Sequence, residues 1–557
     1  MGDETDGVDR ISDLPPFIIH HIMSNLSVKE IARTSLLSKK WKYIRRSYPI
    51  LDFDQVHFVG PIDQTNPITG LRIYPDEFSY ERIIERLMDF VKYVHLSVHR
   101  FCVFKYRMHK FRIAISLVDL EGLTNFLDGW LALAVENGVE DLDVGIVTIR
   151  ERDRDRRYTV PEVLFSSKTV TNLRLAGCKL ELPCDSIELC LLKTLTLDNV
   201  HLDEQMINKL TSECTLLEEL YFHSCSGMTS FCITEPRKLK TLHIHVSVTV
   251  DIKGVKISVP SLRVFNITFE PRLRSRCVVD LAGCRDLTDL KLAGDILEER
   301  DFHYLISSFP LLKSLFVEDC RFLRRIVISS DQLEELKILK CANLRAIDVD
   351  APNLQDFAYF LCPIIPTCTI KVPCPWRLGF SYVGTEPSWY ANIKEFLSSA
   401  HSCELNIFVD SVRNAFHLED FPHRSPTVLR QVEHYFTSIR MPSNLEDLLD
   451  GIFLLCYPKR LTIVTGKSGW KKMITFLLNK LKNEDVSCCE TEDIKCWRHY
   501  LKGFVLERPM PMVLEGNEEA VDIDNLVEQL SISPREKLEF HLDWCLPPLD
   551  DSTAVEN

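Results

Sequence analysis

Residues 170–178 read VTNLRLAGC, and their frame of apolar residue, two residues, leucine, one residue, apolar residue returns down the middle of the chain. It recurs at Leu192-Leu195-Leu197, Leu217-Leu220-Phe222, Leu239-Leu242-Ile244, Leu262-Phe265-Ile267 and Leu287-Leu290-Leu292. Three further copies follow at Leu312-Leu315-Val317, Leu333-Leu336-Ile338 and Leu354-Phe357-Tyr359. From residue 173 to residue 357 the central positions are 21 to 25 residues apart. Alternate side chains of a strand point to the same side, so each copy predicts one short strand with two apolar residues turned inward. No single copy can bury that apolar side alone; neighbouring copies must stack. Five residues past the central position stand Cys178, Cys225, Cys320, Cys341 and Cys362, where a small buried thiol packs the turn after the strand.

The period is that of a leucine-rich repeat, about 20 to 29 residues. The predicted fold class is therefore α/β, a curved and mostly parallel sheet wound as a solenoid. An earlier strand at Val139-Leu142-Val144 is expected to start the array, and RERDRDRR (150–157) after it reads as a solvated loop. Residues 120–135 suit an amphipathic helix with Leu127, Trp130, Leu131 and Ala134 inward, and a second helix carries Ile83, Ile84, Leu87, Met88 and Val91. Between them and the N-terminal block, residues 53–80 are rich in Gly and Pro and read as a link. Strand-like pieces persist at Cys403–Val409 and Leu461–Val464, with a helix near Met473–Leu481.

The N-terminal block from Leu14 reads LPPFIIHHIMSNLSVKEIARTSLLSKKWKYI. Phe17, Ile18 and Ile22 mark a first helix running to Leu26. Ser27-Val28-Lys29-Glu30 is a capping box that opens a second, with Ile31, Ala32, Ser35 and Leu36 as its inner stripe. Ser38 caps a third helix carrying Trp41 and Ile44. Three helices in about 40 residues have too little interior for all these apolar side chains, so some should meet a partner. The block resembles an F-box, which docks onto a Skp-type adaptor and, through it, a cullin. That resemblance covers residues 9–50 and rests on the Leu14-Pro15 opening and the Ser38-Lys39-Lys40-Trp41 close. It implies adaptor-facing roles, at or behind the interface, for Leu14, Pro15, Ile18, Ile22, Leu26, Leu37 and Trp41. Pro16 and Leu37 depart from the usual pattern; Pro fits a first helical turn.

The stretch Trp130-x3-Ala134-x4-Val139-x2-Leu142, then Val160-Pro161-x2-Leu164-Phe165 and Leu173–Cys178, is similar to the plant F-box/leucine-rich-repeat family. Ile494–Phe504 (IKCWRHYLKGF) resembles the end of that family's FBD-like region. The implied organisation is an F-box at 9–50, a linker and helical lead-in at 51–135, and leucine-rich repeats at 136–365. Irregular repeats with the FBD-like region occupy 366–510, and an acidic, partly disordered tail 511–557. The resemblance implies the substrate-recognition subunit of a ubiquitin ligase complex, itself without catalysis. A scaffold that binds the adaptor without ligation and a small-molecule receptor are the alternatives.

On the sheet face the residues flanking each inward pair project outward, among them Tyr221, His223, His243, His245, Phe316, Glu318, Lys337 and Phe360. Tyr221, His223, His243 and His245 should lie side by side, and with Phe316 and Phe360 they are the expected contacts for a protein target.

Composition excludes more than it identifies. The net charge of −14 argues against broad nucleic-acid binding, although residues 9–50 hold eight Lys or Arg against three acids, which suits an acidic partner. No apolar run reaches membrane-spanning length. The polar N-terminus is unlike a secretory signal, so the twenty cysteines are expected reduced, in cytoplasm or nucleus. Gly466-Lys467-Ser468 lacks the glycine that a phosphate-binding loop needs at 461, which is leucine. Cys488, Cys489, Cys496 and His499 lack paired zinc spacing, and His20-His21 reads as surface or interface. No catalytic residue, metal or cofactor is expected.

Overall fold

The computed structural model describes residues 11–59 (save 12 and 27), 64–65, 72–73, 77–117, 123–148, 157–181, 186–270 and 277–371. Beyond these it describes 374, 376–382, 396, 403–409, 434–439, 453, 459–464, 475, 477–479, 481, 497–507, 514–515 and 537–545. The chain divides into two compact units, residues 1–286 and 287–557. The fold is mixed α/β, with a three-helix N-terminal module followed by parallel repeat strands, and among the described residues no closed barrel.

The module consists of α1 (Pro16–Ser24), α2 (Val28–Thr34) and α3 (Lys39–Arg46). Ser38 caps α3 as expected, its Oγ accepting from the Trp41 N–H at 3.2 Å. Ser27, the expected cap of α2, lies outside the described residues. A small core of Ile19, Met23, Trp41, Ile44 and Tyr48 holds the helices, with Leu14, Ile31 and Ile50 packed on it. The inner stripe expected for α2 is corrected. Ile31 packs on the core and Thr34 is buried, but Ala32 is exposed, and because the helix stops at Thr34 the turn after it swings Leu36 out to 85% exposure. On α1 there are two i,i+4 rows, and Ile19/Met23 is the inward one rather than Ile18/Ile22.

In the first unit eight parallel strands follow one another: Ile50–Asp54, Lys110–Leu117, Asp141–Thr148, Asn172–Ala176, Thr194–Asp198, Glu219–His223, Thr241–Val246 and Val264–Phe269. Leu142, Leu173, Leu195, Leu220, Leu242 and Phe265 stand in register, so the spacing read from the sequence is the strand register. The array does not begin at Val139. Leu51 pairs with Phe111 and Phe111 with Leu142, so two strands precede it, the first entered directly from the helical module. Tyr48 belongs at once to the module's core and to the first repeat frame, Tyr48-x2-Leu51-x-Phe53. The Pro49 carbonyl accepts from the N–H groups of His109 and Lys110 at 2.9 and 3.2 Å.

In the second unit the parallel run is Asp289–Ala293, Ser314–Glu318, Glu335–Leu339, Asp356–Cys362, Trp376–Tyr382, Cys403–Val409, His434–Ile439 and Arg460–Val464. Lys537–Trp544 then adds antiparallel to Arg460–Val464 and to Leu501–Glu507. Within the stretch expected as an acidic, partly disordered tail, Phe540, Leu542 and Trp544 of this strand alternate into the interior.

On the return side of the repeats, short sheets replace the helices of some copies. Ser230–Ile233, Gly254–Ile257 and Val278–Asp280 form one, and Arg325–Ser329, Ala346–Asp350 and Thr367–Lys371 another. The helix Thr124–Glu136 buries Leu127, Trp130, Leu131 and Ala134, as its periodicity predicts. Four residues after the central position the chain repeatedly takes positive φ, at Gly177, Asn199, Ser224, Gly294, Asp319, Lys340 and Leu361. At Gly177 the glycine is required by contact as well as by φ, because an added Cβ would sit 1.7 Å from the Ile146 carbonyl oxygen.

Candidate functional site

Two surfaces remain once the core is accounted for. The first lies on the helical module. Pro15, Phe17, Ile22, Leu36 and Leu37 are exposed although the module already has a closed core, and Leu14, Ile18 and Leu26 are half-buried. Trp41, expected at or behind this surface, is 3% exposed and stands behind it as core. Phe17 and Leu36 were not among the expected contacts. Their signal was the same apolar surplus, read onto the wrong faces. His20 is structural, its Nε2–H donating to the Ile44 carbonyl at 3.1 Å. So many exposed large apolar side chains on so small a module point to a surface that a partner covers.

The second surface is the sheet face of the repeats. Its rows run across strands in register: Asp52, Arg112, Asp143, Arg174, Thr196, Tyr221, His243, Asn266 in one, and Asp54, Ala114, Gly145, Ala176, Asp198, His223, His245, Thr268 in the next. Arg112 binds Asp52, Asp54 and Asp143 at 2.8, 3.1 and 3.4 Å, and Arg174 reaches Asp143 at 3.7 Å and Asp198 at 3.5 Å. Burial works against the Arg112 charge, but Asp52 and Asp54 outweigh it and hold its pKa above the ordinary value. Burial pushes the Asp143 carboxyl up.

Beyond this charged stretch the expected cluster is present. The Tyr221 ring lies on His243 with centroids 4.8 Å apart, and His223 stacks on His245 at 5.7 Å and 22°. Tyr221 donates its hydroxyl to Glu219 at 3.2 Å, and Asn266 Nδ2 lies 3.2 Å from the His243 ring nitrogens.

Phe316 and Phe360 belong to the second unit, and the register sets them two strands and two residues apart. Lys291 Nζ sits 4.3 Å over the Phe316 ring and 3.1 Å from Glu318, which Lys340 binds from the other side at 2.8 Å. Burial of Glu318 works against its charge, yet the two lysines hold its carboxyl below the usual range. Phe360 lies over Gly379, where a Cβ would come within 2.2 Å of the ring.

Two family models match: the F-box domain over residues 11–49, and the At1g61320/AtMIF1 LRR domain over 104–279 and 248–367. F-box/LRR-repeat protein At3g58900 of Arabidopsis thaliana is 30% identical over 263 residues, which are 46% of this chain and 72% of that protein. The chain belongs to the plant F-box/LRR-repeat family. F-box protein At3g59000 is 32% identical over 42% of this chain and 44% of its own length, and F-box/LRR-repeat protein At4g14096 is 31% identical over 46% and 48%, both from Arabidopsis thaliana. The chain spans about half the length of most of the curated relatives it matches. In family terms the exposed apolar surface is the F-box and the ringed sheet face is the LRR domain. Ile494–Phe504 lies beyond the matched stretches; there Trp497–Tyr500 is a 3-10 turn leading into the strand Leu501–Glu507.

The repeat-turn cysteines of this F-box/LRR-repeat protein behave as packing residues. Cys225 Sγ donates to the Leu197 carbonyl at 3.4 Å, Cys341 to Leu339 at 3.4 Å and Cys362 to Phe360 at 3.3 Å. Burial pushes Cys178, Cys225 and Cys362 up to about 12, where a thiol is a poor nucleophile at neutral pH. Among the described residues no group of three or more His, Cys, Asp or Glu is arranged to hold a metal. Cys488, Cys489 and Cys496 lie outside the described residues. Iodoacetamide on the native protein, read by peptide mass spectrometry, should modify the exposed Cys190, Cys232 and Cys545 quickly. Cys178, Cys225 and Cys362 should react only after urea is added. Native labelling of those three would contradict the packing assigned to them.

Proposed function

We propose that this chain is the substrate-recognition subunit of a Skp–cullin–F-box ubiquitin ligase, acting in the cytoplasm or nucleus. The observation that carries this is the exposure of Phe17, Ile22, Leu36 and Leu37 on a module whose own core is already closed. Such a surface gains stability only when a partner covers it. The excess of Lys and Arg around it favours an acidic one. The repeat face then holds a protein target beside the assembly. The chain does no chemistry itself, because bringing target and charged enzyme together raises effective concentration without any catalytic group. Among the described residues no helix is long and apolar enough to cross a membrane.

Co-purification with a Skp-type adaptor tests the reading. Wild type should retain the adaptor through washing, and a Leu14→Ala/Pro15→Ala variant should lose it. Pro15 is the exposed N-cap of α1, and Leu14 packs beside it against the core, so the change alters how α1 is presented. An adaptor that ignores the wild-type chain would overturn the ligase reading and leave a repeat protein with a partnerless helical module.

A further inference from the structure

The sheet face of the first unit has two zones with different chemistry. From Asp52 to Arg174, acids and bases alternate in register and satisfy one another. Covering that zone would desolvate both members of each pair and return little. Next to it the pattern changes. Tyr221/His243 form a tilted ring pair and His223/His245 a stacked one, and no Lys or Arg stands in register with any of the four rings. Their neighbours along the rows are Thr196, Asn266 and Thr268, which are neutral, and Asp198, which is acidic and in register with His223. Glu219 lies beside Tyr221 on the same strand. Asp198 is held by Arg174 at 3.5 Å, long for an ion pair, and the side chains are 42% and 50% exposed. A competing cation can displace so weak a partner.

Ring faces are electron-rich and attract cations. A guanidinium is planar and weakly hydrated, so it can lie flat on a ring while its edge forks a carboxylate; a compact ammonium does this poorly. We propose that the His223–His245 pair and Asp198 form a seat for an arginine side chain of the target protein, the guanidinium stacked on the imidazoles and its nitrogens on the Asp198 carboxylate. This rests on the reading that the repeat face receives the target, and it names the chemistry that target must present. The ringed zone carries rings and acids with no lysine or arginine in register with the rings, and its carboxylates fit a basic segment.

The test uses fluorescein-labelled nona-arginine, nona-lysine and nona-glutamate as probes, read by fluorescence anisotropy on the full chain at pH 8, where imidazole is ordinarily neutral. Nona-arginine should bind about tenfold more tightly than nona-lysine, equivalent to about 1.4 kcal/mol. In the His223→Ala/His245→Ala variant the preference should vanish while nona-lysine binding holds. Asp198→Asn should weaken nona-arginine by a similar factor with the rings intact. Equal binding of the two basic probes, a preference that survives the double alanine change, or tighter binding of nona-glutamate would each overturn the proposal. Adaptor capture by the same variants is read separately. A chain that captures adaptor but shows no arginine preference loses only this inference, and one that fails to capture adaptor loses the ligase reading instead.

Discussion

Gly177→Ala should lower the thermal midpoint of the first unit by many degrees, whereas Gly129→Ala should leave it unchanged or slightly raised. Both replace glycine by alanine, so the contrast isolates geometry. Gly177 has φ +70°, which costs an L residue about 1–2 kcal/mol. Its new Cβ would also stand 1.7 Å from the Ile146 oxygen, which is backbone and cannot rotate away. Relief requires the strand Asn172–Ala176 to part from Asp141–Thr148 at their shared end, undoing the Gly145–Ala176 pairing. A total of about 3–5 kcal/mol is expected, at the upper end of single substitutions. Gly129 lies inside the helix Thr124–Glu136 with nothing within 4 Å of an added Cβ, where alanine is favoured by about 0.5–1 kcal/mol. Circular dichroism melts of the two variants decide the matter. If Gly177→Ala melts no lower than Gly129→Ala, the close approach at the repeat turn is wrong.

The second large effect separates two residues that the sequence placed in one role. Trp41 is core, and truncation to alanine should cost about 3–5 kcal/mol, more than a module of this size can lose and stay folded. Leu37 is 66% exposed, so Leu37→Asp should leave the melt within about 0.5 kcal/mol of wild type. Yet it should reduce adaptor capture by about a hundredfold, as loss of a central apolar contact does. The variants should therefore look alike in a pull-down and differ under limited proteolysis, where only Trp41→Ala opens residues 14–48 to cleavage. Protection of that segment in Trp41→Ala, or undiminished capture by Leu37→Asp, would refute the assignment of faces.

What could be read from the sequence was whatever repeats. Nine copies of one frame fix strand, register and inward face, so the neighbours Tyr221, His243, His223 and His245 followed from spacing alone. The first two strands were hidden because Phe111 stands in the leucine position and helices are inserted on either side of Lys110–Leu117, which breaks the period. The return-side sheets carried a period-2 signal in Phe231/Ile233, Val255/Ile257, Ile326/Ile328 and Ile347/Val349, left unread because one strand per copy already accounted for the period. Trp544 and its alternating neighbours were masked by the acidic average around them. In the helical module, the apolar residues were identified but not their faces. On α1 both rows have i,i+4 spacing, and only the packing of Tyr48 and Ile50 shows which one turns inward.

That packing has a consequence for reach. Because Tyr48 serves the last helix and the first strand together, and Pro49 is clamped by two N–H groups, the junction between the two offers no pivot. An arm without an elbow sweeps no arc. On the proposed reading, whatever the first repeats grip would be presented to the adaptor side at a set distance and angle. A ligase built this way would select among the lysines of its target by where they stand, as a jig selects where a hole is drilled.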